Sequence, residues 1–192
     1  KNLTNLKSNK VDSIEIDLRD KSKEIILSHD PFKNGPSFLK NIDKLKDFFL
    51  IVDIKSTGFS EKICKLLKKK KIKFLLLNLI ASEQIYLINK KYSKNIFIRY
   101  SSIEKPDLTK KYFRSINWVW FDFFDKKFIS KQQFNYLKKF NKKICITSPD
   151  LLGFKKIKII NNIKYLNKNN IKIDMVCSKL KFINLWKKYY KF

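Results

Sequence analysis

Short runs of Ile, Leu, Val and Phe recur along the whole chain, and between them lie segments whose apolar residues return every three to four positions. The runs are "SIEIDL", "EIILS", "FFLIVDI", "IKFLLLNL", "NIFIRY", "NWVWFDFF", "KKICITS" and "IKIDMVC". Several are almost continuously hydrophobic, the pattern of parallel strands covered on both faces rather than of a sheet with one wet side. The intervening segments read as amphipathic helices. "SEKICKLLKKK" carries a stripe of Ile63, Leu66 and Leu67, and "SEQIYLINKKY" one of Ile85, Tyr86 and Ile88 with Ser82 as its cap. "SKQQFNYLKKF" repeats the pattern with Phe134, Leu137 and Phe140, and "KIINNIKYLNKN" with Ile160, Ile163 and Leu166.

Strand and helix in alternation build either an open doubly wound sheet or a closed (β/α)8 barrel. No glycine-rich phosphate loop supports a dinucleotide-binding sheet, so the expected fold class is α/β, a (β/α)8 TIM barrel. With "EIILS" set aside as an excursion after the first strand, barrel strands fall near residues 13–18, 49–54, 73–78, 95–100, 117–122, 143–147 and 172–177. A barrel of this kind has about eight strands. The chain starts at Lys1 rather than Met, and the expectation is that the first strand lies upstream, leaving an N-terminally incomplete barrel here.

A length of 192 residues suits a single domain spanning 1–192, and a hydrophobic content of 44% gives it a core. The net charge of +27 invites a polyanionic partner. The excess is lysine spread through every segment, beside abundant Asn, Ile, Phe and Tyr and one alanine, Ala81. An AT-rich coding sequence produces that bias, so a solvated lysine coat is the favoured reading and nucleic acid the disfavoured partner. Cys64, Cys145 and Cys177 lack metal-ligand spacing and read as reduced core residues of a cytoplasmic protein. No apolar run approaches the roughly 18–20 residues that span a bilayer.

The chemistry sits on strand ends. Side chains alternate along a strand, so Glu15, Asp17 and Arg19 share one face while Ile14, Ile16 and Leu18 share the other. In "IVDIKS", Asp53 and Lys55 lie opposite Val52 and Ile54. Later strands end with Arg99 near Glu104, with Trp120 and Asp122 on one face, and with Ser148. In a (β/α)8 barrel the carboxyl ends of the strands carry the active site. Three carboxylates from two strands make a hard, all-oxygen site for Mg²⁺ or Ca²⁺ rather than Zn²⁺, in a chain with one histidine. Pairing of Glu15 and Asp17 with Arg19 and Lys55 is the competing reading, and for His29 it is a turn histidine before "DPF"; residue spacing leaves both open. A Ser-His-Asp triad has no nucleophile elbow to support it. The only arginines are Arg19, Arg99 and Arg114. The first two stand at strand ends, where a planar guanidinium suits a phosphate that lysine cannot grip in the same way.

"IEIDLRDKSKEIILSHDPF" resembles the E-x-D followed by H-D of the glycerophosphodiester phosphodiesterase family, within the phosphatidylinositol-phospholipase-C-like barrel superfamily. "LIVDIKS" looks like that family's strand with an acidic metal ligand and a lysine two residues on, with Asp53 where Glu is more usual. "IRYSSIE", "WVWFDFF", "CITSPDLLG" and "IDMVCSKLKFINLW" are similar to later strands of a less characterised bacterial branch, so the likeness runs over nearly the whole chain. The resemblance implies a metal-dependent phosphodiesterase with two histidines in acid-base roles. Glu15, Asp17 and Asp53 would hold Mg²⁺ or Ca²⁺, His29 would be the second histidine, and Lys55 would touch the phosphate. Arg19 and Arg99 would add positive charge, and Trp120 would flank the alcohol. The substrate would be a small phosphodiester or a lipid head group, and peripheral contact with a membrane stays open. The first histidine, in a His-Arg pair ending the family's first strand, has no counterpart here; it is expected just upstream or is lost. A phosphate-binding barrel without turnover and a basic nucleic-acid-binding protein are the alternatives.

Overall fold

The computed structural model describes residues 3–22, 24–124 and 127–190, and the side chains from Leu6 onward. Its elements form two compact units, Val11–Phe97 and Lys1–Lys10 with Ile98–Phe192.

In the first unit, β1 (Ser13–Lys21) turns back into β2 (Glu24–Leu27), the "EIIL" run, as an antiparallel neighbour. A short helix α2 (Phe38–Asn41) leads to β3 (Phe49–Ile54), α3 (Ser60–Lys69), β4 (Phe74–Leu77) and α4 (Ala81–Asn89). To keep chain order, α1 denotes Leu3–Ser8 of the other unit. The sheet order is β2-β1-β3-β4, with β1, β3 and β4 mutually parallel. Leu18, Leu50, Val52 and Leu76 of these strands are fully buried, as are Ile63, Cys64 and Leu67 of α3. Near-continuous hydrophobicity in β3 and β4 reflects this two-sided cover.

Along the second unit, which begins inside β5 at Ile98, the order is β5 (Phe97–Tyr100), α5 (Lys111–Arg114), β6 (Trp118–Phe121), α6 (Lys131–Lys139), β7 (Lys143–Thr147), α7 (Lys156–Lys168), β8 (Met175–Cys177) and α8 (Ile183–Tyr189). Its sheet order is β5-β6-β7-β8, with β7 parallel to both β6 and β8. A capping box between Ser130 and Gln133 starts α6. The protein is therefore a mixed α/β fold with parallel sheets, and among the described residues no ladder closes its strands into a barrel. No helix among them is long and apolar enough to cross a membrane.

All seven expected strands are present. The last starts at Met175 rather than 172, because Asp174 takes up the amide of Ile144 and the Tyr190 hydroxyl bonds the backbone of Ile171 and Ile173 where ladder bonds would run. Helix α4 corrects a finer expectation. Ile80 is its N-cap and Ser82 lies inside it; Leu87 is buried while Ile85 and Tyr86 are exposed. Glu83 and Tyr86 hold the helix in this rotation, bonding Gly58 and Ser60 and reaching Glu61 respectively.

The loop after β2 folds back on its own strand: the Leu27 amide donates to Pro36 O at 2.9 Å, and Ile26 bridges to Ser37. Gly35 makes the approach feasible, since a Cβ there would overlap the Leu27 carbonyl oxygen. Backbone has nowhere to yield at such a contact, so Gly35→Ala is expected to lower unfolding stability by about 1–3 kcal/mol in urea titration, by overpacking. Stability within error of the parent would contradict this closure.

Candidate functional site

Parallel pairing of β1 with β3 sets Asp17 directly opposite Asp53, with Glu15 opposite Ile51. One oxygen from each of Glu15, Asp17 and Asp53 lies within 4.8 Å of the others. Adjacent carboxylates repel, and burying one is costly unless a cation accompanies it. Lys55 is that cation. Continuing β3 on the same face, its Nζ stands 2.7 Å from Asp53 Oδ2 and 3.2 Å from Asp17 Oδ1. Burial works to lower the Lys55 pKa, but the hydrogen bond and charge of Asp53, helped by Asp17, outweigh it and hold the ammonium above its ordinary value.

Asn78 completes the surroundings of Asp53, donating from Nδ2 to Oδ1 at 2.6 Å. It follows β4 with φ of 61°, a left-handed conformation that Asn tolerates better than most residues. Asp53 is thus bonded through both oxygens. Asp17 is not: its Oδ1 is buried and accepts no hydrogen bond, the Lys55 ammonium being near but poorly aimed. A buried carboxylate oxygen lacking a hydrogen bond, beside two other carboxylates, fits a divalent cation, and the all-oxygen donor set fits Mg²⁺ or Ca²⁺.

His29 lies on the loop after β2, tethered to β1 by the bond from the Ser28 amide to Asp17 O at 3.1 Å. Its Nδ1 is 2.8 Å from Asp30 Oδ1, and Lys33 Nζ is 2.6 Å from Asp30 Oδ2. The hydrogen bond from His29, then the bond and charge of Lys33, lower the Asp30 pKa to about 2. Asp30 is therefore an ionised acceptor at ordinary pH, so Nδ1 carries the hydrogen and Nε2 is the ring atom left for proton transfer. The imidazole is 72% exposed.

Arg19 shares the face of Asp17 but is engaged with backbone. Its Nε and Nη2 donate to His29 O at 3.2 and 3.1 Å, and its Nη1 donates to Lys55 O at 3.0 Å. The fork expected to meet phosphate braces the two residues expected to act on it. The β3–α3 loop beyond Lys55 is held in turn by Glu83 Oε1, which accepts from the Gly58 amide at 2.8 Å and Ser60 Oγ at 3.0 Å.

The remaining candidates belong to the second unit. Arg99, at the end of β5, donates to Asp122 Oδ2 through Nε at 3.0 Å and Nη2 at 2.7 Å, and pairs with Glu104 at 3.2 Å. Trp120 donates from Nε1 to Asp122 Oδ1 at 2.8 Å, so Trp120 and Asp122 do share a face. Ser148 is buried and accepts from Trp186 Nε1. Asn78 and Glu83 escaped sequence reasoning. A polar residue ending the apolar run "FLLLN" was a usable signal for the first, whereas nothing near Glu83 in sequence points to a loop 25 residues back.

The fold is similar to the crystal structure of a glycerophosphodiester phosphodiesterase from Agrobacterium tumefaciens. The TM-score is 0.66, and the match covers 88% of this chain and 83% of that one at 10% identity. The likeness is one of fold. No protein-family model matches the chain, and no curated protein matches it in sequence.

If the three carboxylates hold a metal, Mg²⁺ or Ca²⁺ should raise the melting temperature by mass action. The gain is about 2.7 kcal/mol when the ion is at a hundred times its Kd. The Asp17→Asn, Asp53→Asn double variant should lose that shift in thermal scanning. A shift of unchanged size in the variant would remove these ligands from consideration.

Proposed function

We propose that the protein is a metal-dependent phosphodiester hydrolase of the TIM-barrel type, acting on a small glycerophosphodiester or the phosphodiester of a lipid head group. The observation that carries this reading is the carboxylate group Glu15, Asp17 and Asp53, with Lys55 against the two aspartates and a buried Asp17 oxygen lacking a hydrogen bond. The fold likeness to a phosphodiesterase supports it. Glu15, Asp17 and Asp53 would hold Mg²⁺ or Ca²⁺, which when bound offsets negative charge on a phosphoryl oxygen.

Each remaining role falls to a residue of Val11–Phe97. Lys55 presents a fixed ammonium on the carboxylate face, where it can bind and orient the phosphate. His29 moves the proton at Nε2, while Asp30 fixes the ring tautomer through Nδ1. Arg19 acts through other groups, bracing the His29 loop and the Lys55 backbone against the end of β1.

The test is hydrolysis of glycerophosphodiesters with Mg²⁺ or Ca²⁺. His29→Ala should lower kcat by about 10²–10⁴, the usual contribution of one acid-base group. Asp53→Asn should abolish turnover together with the metal-dependent thermal shift. A parent protein stabilised by the ion but without turnover on any phosphodiester would leave a phosphate-binding protein instead.

A further inference from the structure

The basic excess is unevenly divided. Lys1–Lys10 and Ile98–Phe192 hold 26 of the 44 basic residues but only 6 of the 17 acidic ones. Of the five described carboxylates there, Asp122 and Asp150 are buried, Glu104 and Asp174 pair with Arg99 and Lys138, and the exposed Asp107 accepts from the Thr109 amide and hydroxyl. Between Leu151 and Ile173 the sequence has six lysines and no acidic residue.

This stretch begins with an exposed apolar cluster. A 3-10 turn, Pro149–Leu152, leaves Leu151 at 37% and Leu152 at 46% exposure, and Ile157 in the first turn of α7 reaches 61%. Lys155 and Lys156 between them are exposed as well. The cluster is set on a firm base. Asp150 accepts from Ser178 Oγ at 3.0 Å and from the Lys179 amide at 2.7 Å, Gly153 turns the chain at φ of 82°, and Phe154 packs edge-on against Phe123. Isolated apolar residues on a surface need no explanation, but three within seven positions, interleaved with unpaired charge of one sign, do.

We propose that Leu151–Lys158 docks the protein on an anionic lipid bilayer. Leu151, Leu152 and Ile157 enter the boundary between head groups and acyl chains, and Lys155 and Lys156 meet the lipid phosphates. Charge complementarity requires a polyanion, and the apolar residues choose between polyanions. Nucleic-acid surfaces of this kind offer aromatic rings for bases to stack on, whereas the exposed apolar side chains here are aliphatic.

The experiment is vesicle flotation of the full chain, independent of any catalytic activity. Vesicles of equimolar phosphatidylcholine and phosphatidylglycerol should carry the protein and vesicles of phosphatidylcholine alone should not. The Leu151→Ser, Leu152→Ser, Ile157→Ser variant, with an unchanged melting temperature, should bind the anionic vesicles about tenfold more weakly or worse, since each side chain loses apolar burial. Lys155→Glu with Lys156→Glu should weaken binding and flatten its salt dependence. Undiminished binding of the serine variant would overturn the proposal. So would equal binding to both vesicle types, or a preference for duplex or single-stranded DNA over the anionic vesicles.

Discussion

Two aspartates face each other across a pair of parallel strands, and everything near them is arranged to make that tolerable. Asp17 and Asp53 occupy the same register position in β1 and β3. Shifting either strand by one residue would turn its charges into the apolar layer and its isoleucines out of it, so hydrophobic burial of Leu18, Val52 and Ile54 fixes the opposition of the carboxylates. Lys55 comes with that register: two residues beyond Asp53 on the same face, its ammonium reaches both acids. The core and the candidate site are thus two faces of one pairing.

Three other buried charges are handled differently. Lys142 is 2% exposed and donates to the carbonyls of Phe113, Arg114 and Ile116, closing the end of α5 without a carboxylate partner; burial lowers its pKa. Asp150 has both oxygens engaged, and Asp122 is shared between Arg99 and Trp120. These groups are satisfied by the fold itself, as buried polar groups generally are. The buried Asp17 oxygen stands apart from them because the fold provides a neighbouring cation but no hydrogen bond to it. Local dissatisfaction of that kind is where a ligand gains most by binding.

Much of this was legible in the sequence because strand alternation is a strict period. The faces of Glu15, Asp17, Asp53 and Lys55, and of Trp120 and Asp122, followed from counting by two, and the structure places each of them so. Helix rotation was less legible. A stripe through Ile85, Tyr86 and Ile88 was one of several the period allows, and the choice fell to Glu83, whose partners Gly58 and Ser60 lie far back in sequence. Arg19 illustrates the same limit. Its type and position suited an anion, but the guanidinium meets two carbonyls that arrive from the loops after β2 and β3, and no local pattern announces an acceptor brought by another element. Asn78 joins Asp53 for the same reason, through the pairing of β4 with β3.

Composition carries less uniform information than a single net charge implies. A coding bias toward lysine acts on the whole chain, and basic residues are indeed about equally dense in the two units. The acids are what differ: Val11–Phe97 holds 11 of the 17. Several of those are tied to structure, Asp17 and Asp53 with Lys55, Asp30 with His29 and Lys33, Asp43 with Lys70, Glu61 with Lys65. Where lysine is supplied by composition, local charge is set by how many carboxylates the fold has a use for. In the unit that needs few, the lysine coat stays uncompensated, and its field becomes available to an anionic surface in a way that the charge-paired unit's does not.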